Sequence, residues 1–218
     1  MKIYKLALLA LVALVAACGP TPTGTFHVPS STLTPAPTPT WNAPTRGADR
    51  GLEPGTPTPQ PAFPVTVTDD AGRSVIIHQP PQRIISLAPS NTEILFALGL
   101  GSKVVAVGSS FDDYPPEAKA PPKVAEPDVT KPNLEKIVAL APDLILMTGG
   151  DPLPLELINR LEGLQLTVLV IYPRDIDGIL LGIQLIGTAT GASQEAQTLT
   201  TCLRGRLDTV SAKAKTAT

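Results

Sequence analysis

Four short apolar runs, each followed by a stretch of helical period, restrict this chain to one layer architecture. The runs fall at 83–88, 103–107, 143–147 and 167–172 and carry Ile84-Ile85, Val104-Val105, Leu144-Ile145-Leu146 and Val168-Leu169-Val170. A strand that is apolar on both faces must be covered on both faces, and strands that alternate with helices are joined by crossovers and lie parallel. The fold class is therefore α/β, a Rossmann-like parallel sheet with helices on both faces. A β-hairpin precedes it: Val65-Thr66-Val67-Thr68 and Ser74-Val75-Ile76-Ile77 alternate at strand period around the turn residues Asp69-Asp70-Ala71-Gly72-Arg73.

Capping residues set the expected helix boundaries. Ser90-Asn91-Thr92-Glu93 has the form of a capping box and predicts a helix through Leu98, with Gly99 as its stop. Asn133 predicts a helix over 134–140, terminated by Pro142. An amphipathic helix is expected over 153–164 and another over 176–190, ended by Gly191. A last helical stretch, from Gln194 to about residue 214, becomes progressively polar, and no strand follows it. Its apolar face, Leu199, Leu203 and Leu207, is expected to lack part of its packing partner and to leave an exposed stripe.

The segment ahead of the hairpin obeys different rules. Residues 1–18 carry Lys2 and Lys5, an apolar core from Leu6 to Val15, and then Ala16-Ala17-Cys18, the order of an export signal. That core is too short to span a bilayer as a helix. Val15-Ala16-Ala17-Cys18 resembles the lipobox of bacterial lipoproteins, which implies lipid attachment at Cys18 and a chain held on the membrane in the cell envelope. Residues 19–62 hold about half of the 25 prolines, set among threonines, with too little apolar surface to offset the entropy of ordering. They are expected to form a disordered tether. The folded part then divides into 63–192 and a helical 193–218.

With 17 Lys+Arg against 19 Asp+Glu, the chain has no basic field to attract nucleic acid or anionic lipid. In an open parallel sheet, ligands meet the loops at the carboxyl ends of the strands. Those loops contain Ser90, Phe111, Gly149, Tyr172 and Arg174, the expected ligand contacts. They hold hydroxyls, glycines that permit close approach, aromatics and one guanidinium. A nucleophile, base and orienter do not occur together in them, so the chain reads as a binder and not an enzyme. Gly99-Leu100-Gly101 follows a helix and precedes a strand, the wrong context for a dinucleotide site, and no phosphate-binding loop with Gly-Lys-Ser/Thr is present. One histidine in the folded region, His78, supplies a metal poorly, so no metal site and no cofactor are expected, and a pre-chelated metal fits better. Asp112 and Asp113 read as a solvated loop pair that caps backbone amides. Glu135, in the first turn beneath the Asn133 cap, reads from its position as helix-dipole stabilisation.

Four motifs together change that last reading. Arg83-Ile84-Ile85-Ser86-Leu87-Ala88-Pro89-Ser90-Asn91-Thr92-Glu93, Ser109-Ser110-Phe111-Asp112-Asp113-Tyr114-Pro115-Pro116 and Asn133-Leu134-Glu135-Lys136-Ile137 followed by Pro142-Asp143-Leu144-Ile145 occur in this order. In them the chain resembles the Fe/B12 periplasmic-binding domain, and its cobalamin-binding members in particular. The resemblance implies two α/β lobes joined by a long helix, with a metal chelate (cobalamin, haem or a ferric siderophore) held between them and delivered to the permease subunits of an ABC importer. It places Glu135 at the first lobe's permease-docking position and Phe111 at an aromatic that packs on the ligand. A tryptophan that precedes the Asn-Leu-Glu motif in the cobalamin binders is replaced near Val129. On this reading the chain corresponds to the first lobe, ends inside the interlobe helix and carries no second lobe. The alternative is a lipid-anchored surface module that binds a partner without a transport role.

Overall fold

The computed structural model describes residues 62–216 apart from 127, 129, 151 and 152. Cys18, the export signal, the tether up to residue 61 and Val129 lie outside the described residues.

The hairpin forms as the alternation requires. β1 (Val65–Thr68) and β2 (Ser74–Ile77) pair antiparallel, Val65 opposite Ile77 and Thr68 opposite Ser74. The main sheet comprises β3 (Ile84–Ser86), β4 (Val104–Val107), β5 (Leu144–Thr148) and β6 (Val168–Ile171), all parallel, in the order β4-β3-β5-β6. The helices are α1 (Pro89–Ala97), α2 (Leu134–Ala139), α3 (Leu155–Gly163), α4 (Ile176–Thr190) and α5 (Ser193–Thr216).

Successive strand residues point to opposite faces, and each face has its own helices. Leu144, Leu146, Leu169 and Ile171 pack with Leu95 of α1, Ile183 and Ile186 of α4, and Val67, Val75 and Ile77 of the hairpin. Ile145, Met147, Val168 and Val170 pack on the other face with Ile137 of α2 and with Ile158 and Leu161 of α3. Each fully buried Leu or Ile contributes roughly 1.5–3 kcal/mol before the entropy of ordering is counted.

Both open edges of the sheet are covered, which removes the hazard of unpaired strand groups. On β6 the hairpin turn does this: Asp70 N donates to Val170 O (3.1 Å), Val170 N donates to Asp69 Oδ2 (3.2 Å), and Tyr172 N donates to Asp70 Oδ2 (2.6 Å). The buried Asp69 carboxylate also accepts from the amides of Ala71 and Arg73 and from the Arg73 guanidinium, which reaches on to Glu162 of α3 (2.5 Å). On β4 a returning segment lies alongside, with Val107 N bonded to Pro122 O, Val124 N to Val107 O and Ala125 N to Gly108 O.

Some expected helix signals hold and one fails. The Asn133 side chain accepts from Lys136 N (2.9 Å) and opens α2. Gly99 and Gly191 adopt φ of 75° and 78° just past their helices, the left-handed geometry that a side chain resists. The capping box does not form: α1 begins at Pro89 with Ala88 at its cap and no side-chain cap bond. Proline's fixed φ suits the first helical position, so the helix starts before Ser90 can cap it. The stripe on α5 also differs from expectation. Leu199 and Leu203 are buried and Leu207 is half-buried, because Gly187 of α4 lets Ala192 and Ala196 approach directly. Exposure begins further on, at Val210.

Candidate functional site

The strand order places an opening at one point. The chain leaves β3 toward β4 on one side, while β5 and β6 lie on the other, so the loops after β3 and β5 diverge and leave a crevice at the switch point. A cavity of about 400 Å³ occupies it. Leu87, Ala88 and Pro89 line it from the end of β3, Gly108, Ser109 and Phe111 from β4, and Met147, Thr148, Gly149 and Gly150 from β5. Ala125, Thr130, Pro132, Pro154 and Leu157 complete the described wall. No charged side chain is among these described lining residues, so the surface suits an apolar, uncharged ligand face.

Of the expected contacts, Phe111 and Gly149 line this cavity. Phe111 is 72% exposed, an aromatic ring presented at the rim and not packed in the core. A Cβ on Gly149 would lie 2.7 Å from Tyr172 Cβ, so glycine is what allows Tyr172 to pack against the floor of the site. The Arg174 guanidinium stands over the Tyr172 ring, 5.6 Å from its centroid, in cation–π range. Tyr172 and Arg174 thus form a second layer beside the cavity and are not among its described lining residues. Ser90, half-buried in the first turn of α1, is next to the lining Pro89 and is likewise outside the described lining.

Beneath the Phe111 loop the chain buries polar groups. Asp113 is exposed, as expected of a solvated pair, but Asp112 is 1% exposed, which corrects that half of the expectation: the loop folds back on α1, and Asp112 accepts from Thr92 Oγ1 (2.5 Å) as well as capping the amide Ser109 N (2.9 Å). Burial raises its pKa against the lowering effect of these two bonds. Thr92 Oγ1 also lies 2.8 Å from Ser86 Oγ. Glu93 is buried too, and its Oε2 has no hydrogen-bond partner. Desolvation, reinforced by Asp113 and Asp112, pushes its pKa up from 4.5 to about 7.

Glu135 is exposed in the first turn of α2. Among the described residues no three His, Cys, Asp or Glu side chains gather as metal ligands, and no described helix is long and apolar enough to cross a membrane. Among the lining residues that sequence reasoning missed are Leu87, Met147, Pro132 and Leu157. A signal for Pro132 was present, because a residue just ahead of the Asn133 cap must sit where the chain enters a helix beside the strand ends.

Comparison with known proteins agrees with this fold. The sequence profile of the periplasmic binding protein family matches residues 84–218. An uncharacterised ABC transporter substrate-binding lipoprotein, YvrC of Bacillus subtilis (strain 168), is 38% identical over 156 residues, 71% of this chain and 48% of that protein. The vitamin B12-binding protein of Vibrio cholerae serotype O1 (strain ATCC 39315 / El Tor Inaba N16961) is 40% identical over 129 residues, 59% of this chain and 45% of that protein. The crystal structure of the periplasmic vitamin B12 binding protein BtuF of Vibrio cholerae superposes with a TM-score of 0.55 at 34% identity, covering 62% of this chain and 51% of the other. The chain thus spans about half the length of the relatives it matches.

Proposed function

Since this chain belongs to the periplasmic binding protein family, we propose that it serves as the solute-binding component of an ABC importer, capturing a metal chelate and presenting it to a membrane permease. The observation that carries this reading is the switch-point cavity with an exposed Phe111 at its mouth. A macrocycle laid against that wall stacks on the ring and meets aliphatic carbons and glycine backbone. Because no cation occurs among the described lining residues, a neutral corrin face suits this wall better than a polyanionic siderophore, which would be desolvated without compensation. Cobalamin is therefore the favoured chelate, with haem and ferric siderophores as the alternatives.

In this reading Phe111 and Gly149 touch the ligand, while Ser90, Tyr172 and Arg174 border it. Glu135 docks on the permease, an exposed charge giving orientation and encounter rate with little effect on the fold. Cys18 carries the lipid that holds the protein on the membrane, and α5 is the start of the interlobe helix.

The test is equilibrium dialysis against cyanocobalamin, hemin and a ferric siderophore, with the Phe111→Ala variant in parallel. Cyanocobalamin retained by the wild-type chain, and lost or reduced at unchanged melting temperature in Phe111→Ala, is the expected result. Equal retention by both proteins would exclude the Phe111 wall as the capture surface.

A further inference from the structure

An exposed aromatic contributes most to binding if its position is set before the ligand arrives, since ordering it on contact offsets part of the interaction. The Phe111 loop meets that condition. Ser109 N donates to Asp112 Oδ2 (2.9 Å), Ser110 N to Glu126 Oε1 (2.7 Å), Phe111 N to Ser109 Oγ (3.3 Å) and Asp112 N to Ser109 O (3.1 Å). Four successive amides are therefore held, although the ring between them is exposed. Three of these bonds are made within the loop itself. The fourth comes from Glu126, which follows the segment lying along the β4 edge and has Ala125 anchored to Gly108 O (2.7 Å) as its chain neighbour.

We propose that Glu126 is a positioning residue for ligand capture: its carboxylate grips the Ser110 amide and sets the Phe111 ring at the mouth of the cavity. The proposal rests on the reading of Phe111 as a ligand contact. Glu126 is exposed and is not itself among the described cavity-lining residues, so its carboxylate acts on binding through the loop. Hydrogen bonds from Ser110, aided by Lys123 and Lys136, hold its carboxyl below the usual range, so the grip persists into mildly acidic solution. Lys123 is not released by the loss of Glu126, because its ammonium is bonded to the carbonyls of Ala118, Lys119 and Pro121.

The test pairs a measurement without ligand and one with it, on the full chain. Amide hydrogen exchange at Ser110 is expected to accelerate in Glu126→Ala and to stay near the wild-type rate in Glu126→Gln, whose amide oxygen accepts the same bond. Cyanocobalamin dissociation constants are expected to rise about three- to tenfold in Glu126→Ala, as for a contact ordered only on binding, and about twofold or less in Glu126→Gln. In a Phe111→Ala background the Glu126→Ala change is expected to have no further effect. Unchanged Ser110 exchange in Glu126→Ala, or a loss of affinity that persists in the Phe111→Ala background, overturns the proposal. A wild-type chain that leaves cyanocobalamin unbound while Ser110 exchange responds as stated overturns the capture reading and leaves the Glu126 grip standing.

Discussion

Replacing Glu93 by Gln is expected to stabilise the fold at pH 8 and to change little at pH 4. In the unfolded chain the Glu93 carboxyl ionises near 4.5, whereas burial beside Asp113 and Asp112 moves it to about 7 in the folded chain. Between these values the folded form keeps a proton that the unfolded form has released. The contribution of the neutral acid is therefore whole below pH 4.5 and is lost as pH rises through 7. At about 1.4 kcal/mol for each tenfold in proton affinity, the full displacement is worth about 3 kcal/mol. Because the neighbouring Asp113 is exposed and solvent screens its part of the shift, the expected effect is roughly 1–2 kcal/mol. Glutamine keeps the shape and cannot ionise, so it removes the pH-dependent part alone. Urea unfolding of wild type and Glu93→Gln at half-unit steps from pH 4 to 8 reads the effect. The difference between the two curves should be flat below 4.5, grow in favour of the variant to about pH 7, and then level off. A constant difference across the whole range would show that Glu93 does not hold a proton in the folded chain.

Removing the Asp69 carboxylate leaves the amides of Ala71, Arg73 and Val170 without that acceptor and the Arg73 guanidinium with only Glu162 and the Val168 carbonyl. Asp69→Ala is therefore expected to cost about 3–5 kcal/mol, seen as a lowered denaturant midpoint and as fast amide exchange along β6. A valine at Gly187 would overlap Ala196 and push α5 from α4; the expected loss is about 1–3 kcal/mol by thermal unfolding, and an unchanged midpoint would show that the helices are not in contact there. Asn133→Ala removes the α2 cap and is expected to cost about 1 kcal/mol, with cyanocobalamin binding unchanged. Glu135→Arg is expected to leave the melting temperature and chelate retention alone and to abolish stimulation of the permease in a two-lobe version of the protein; a drop in chelate retention would place Glu135 in the ligand site instead.

The strands and most helix ends were legible because their causes are local. A run such as Leu144-Ile145-Leu146 has nowhere to go but a covered sheet, and Asn133 caps α2 with its own side chain. Ser90-x-x-Glu93 misled because Pro89, one residue earlier, sets the helix start and turns Glu93 inward. What the chain hides is non-local. Asp69 finds Val170 and Asp70 finds Tyr172 across about a hundred residues, so the hairpin's role in closing the β6 edge has no signature in Asp69-Asp70-Ala71-Gly72 beyond a turn. Asp112 reads as solvated until α1 is seen to bring Thr92 against it. Phe111 and Gly149 were legible as lining residues of the switch-point cavity because the sheet rule points to the strand ends. Tyr172 and Arg174 obey the same rule, yet the packing of Tyr172 against Gly149 sets them one layer back.

Where a chelate lands is read most directly by amide chemical-shift mapping of the 15N-labelled chain with cyanocobalamin, which responds even when binding is weak. Shifts are expected at Leu87, Gly108, Ser109, Phe111, Thr148, Gly149 and Gly150, the residues that converge at the switch point, with the hairpin and the β6 edge silent. Shifts concentrated on the hairpin or on α5, or a map that does not move at saturating cyanocobalamin, would contradict capture at this site.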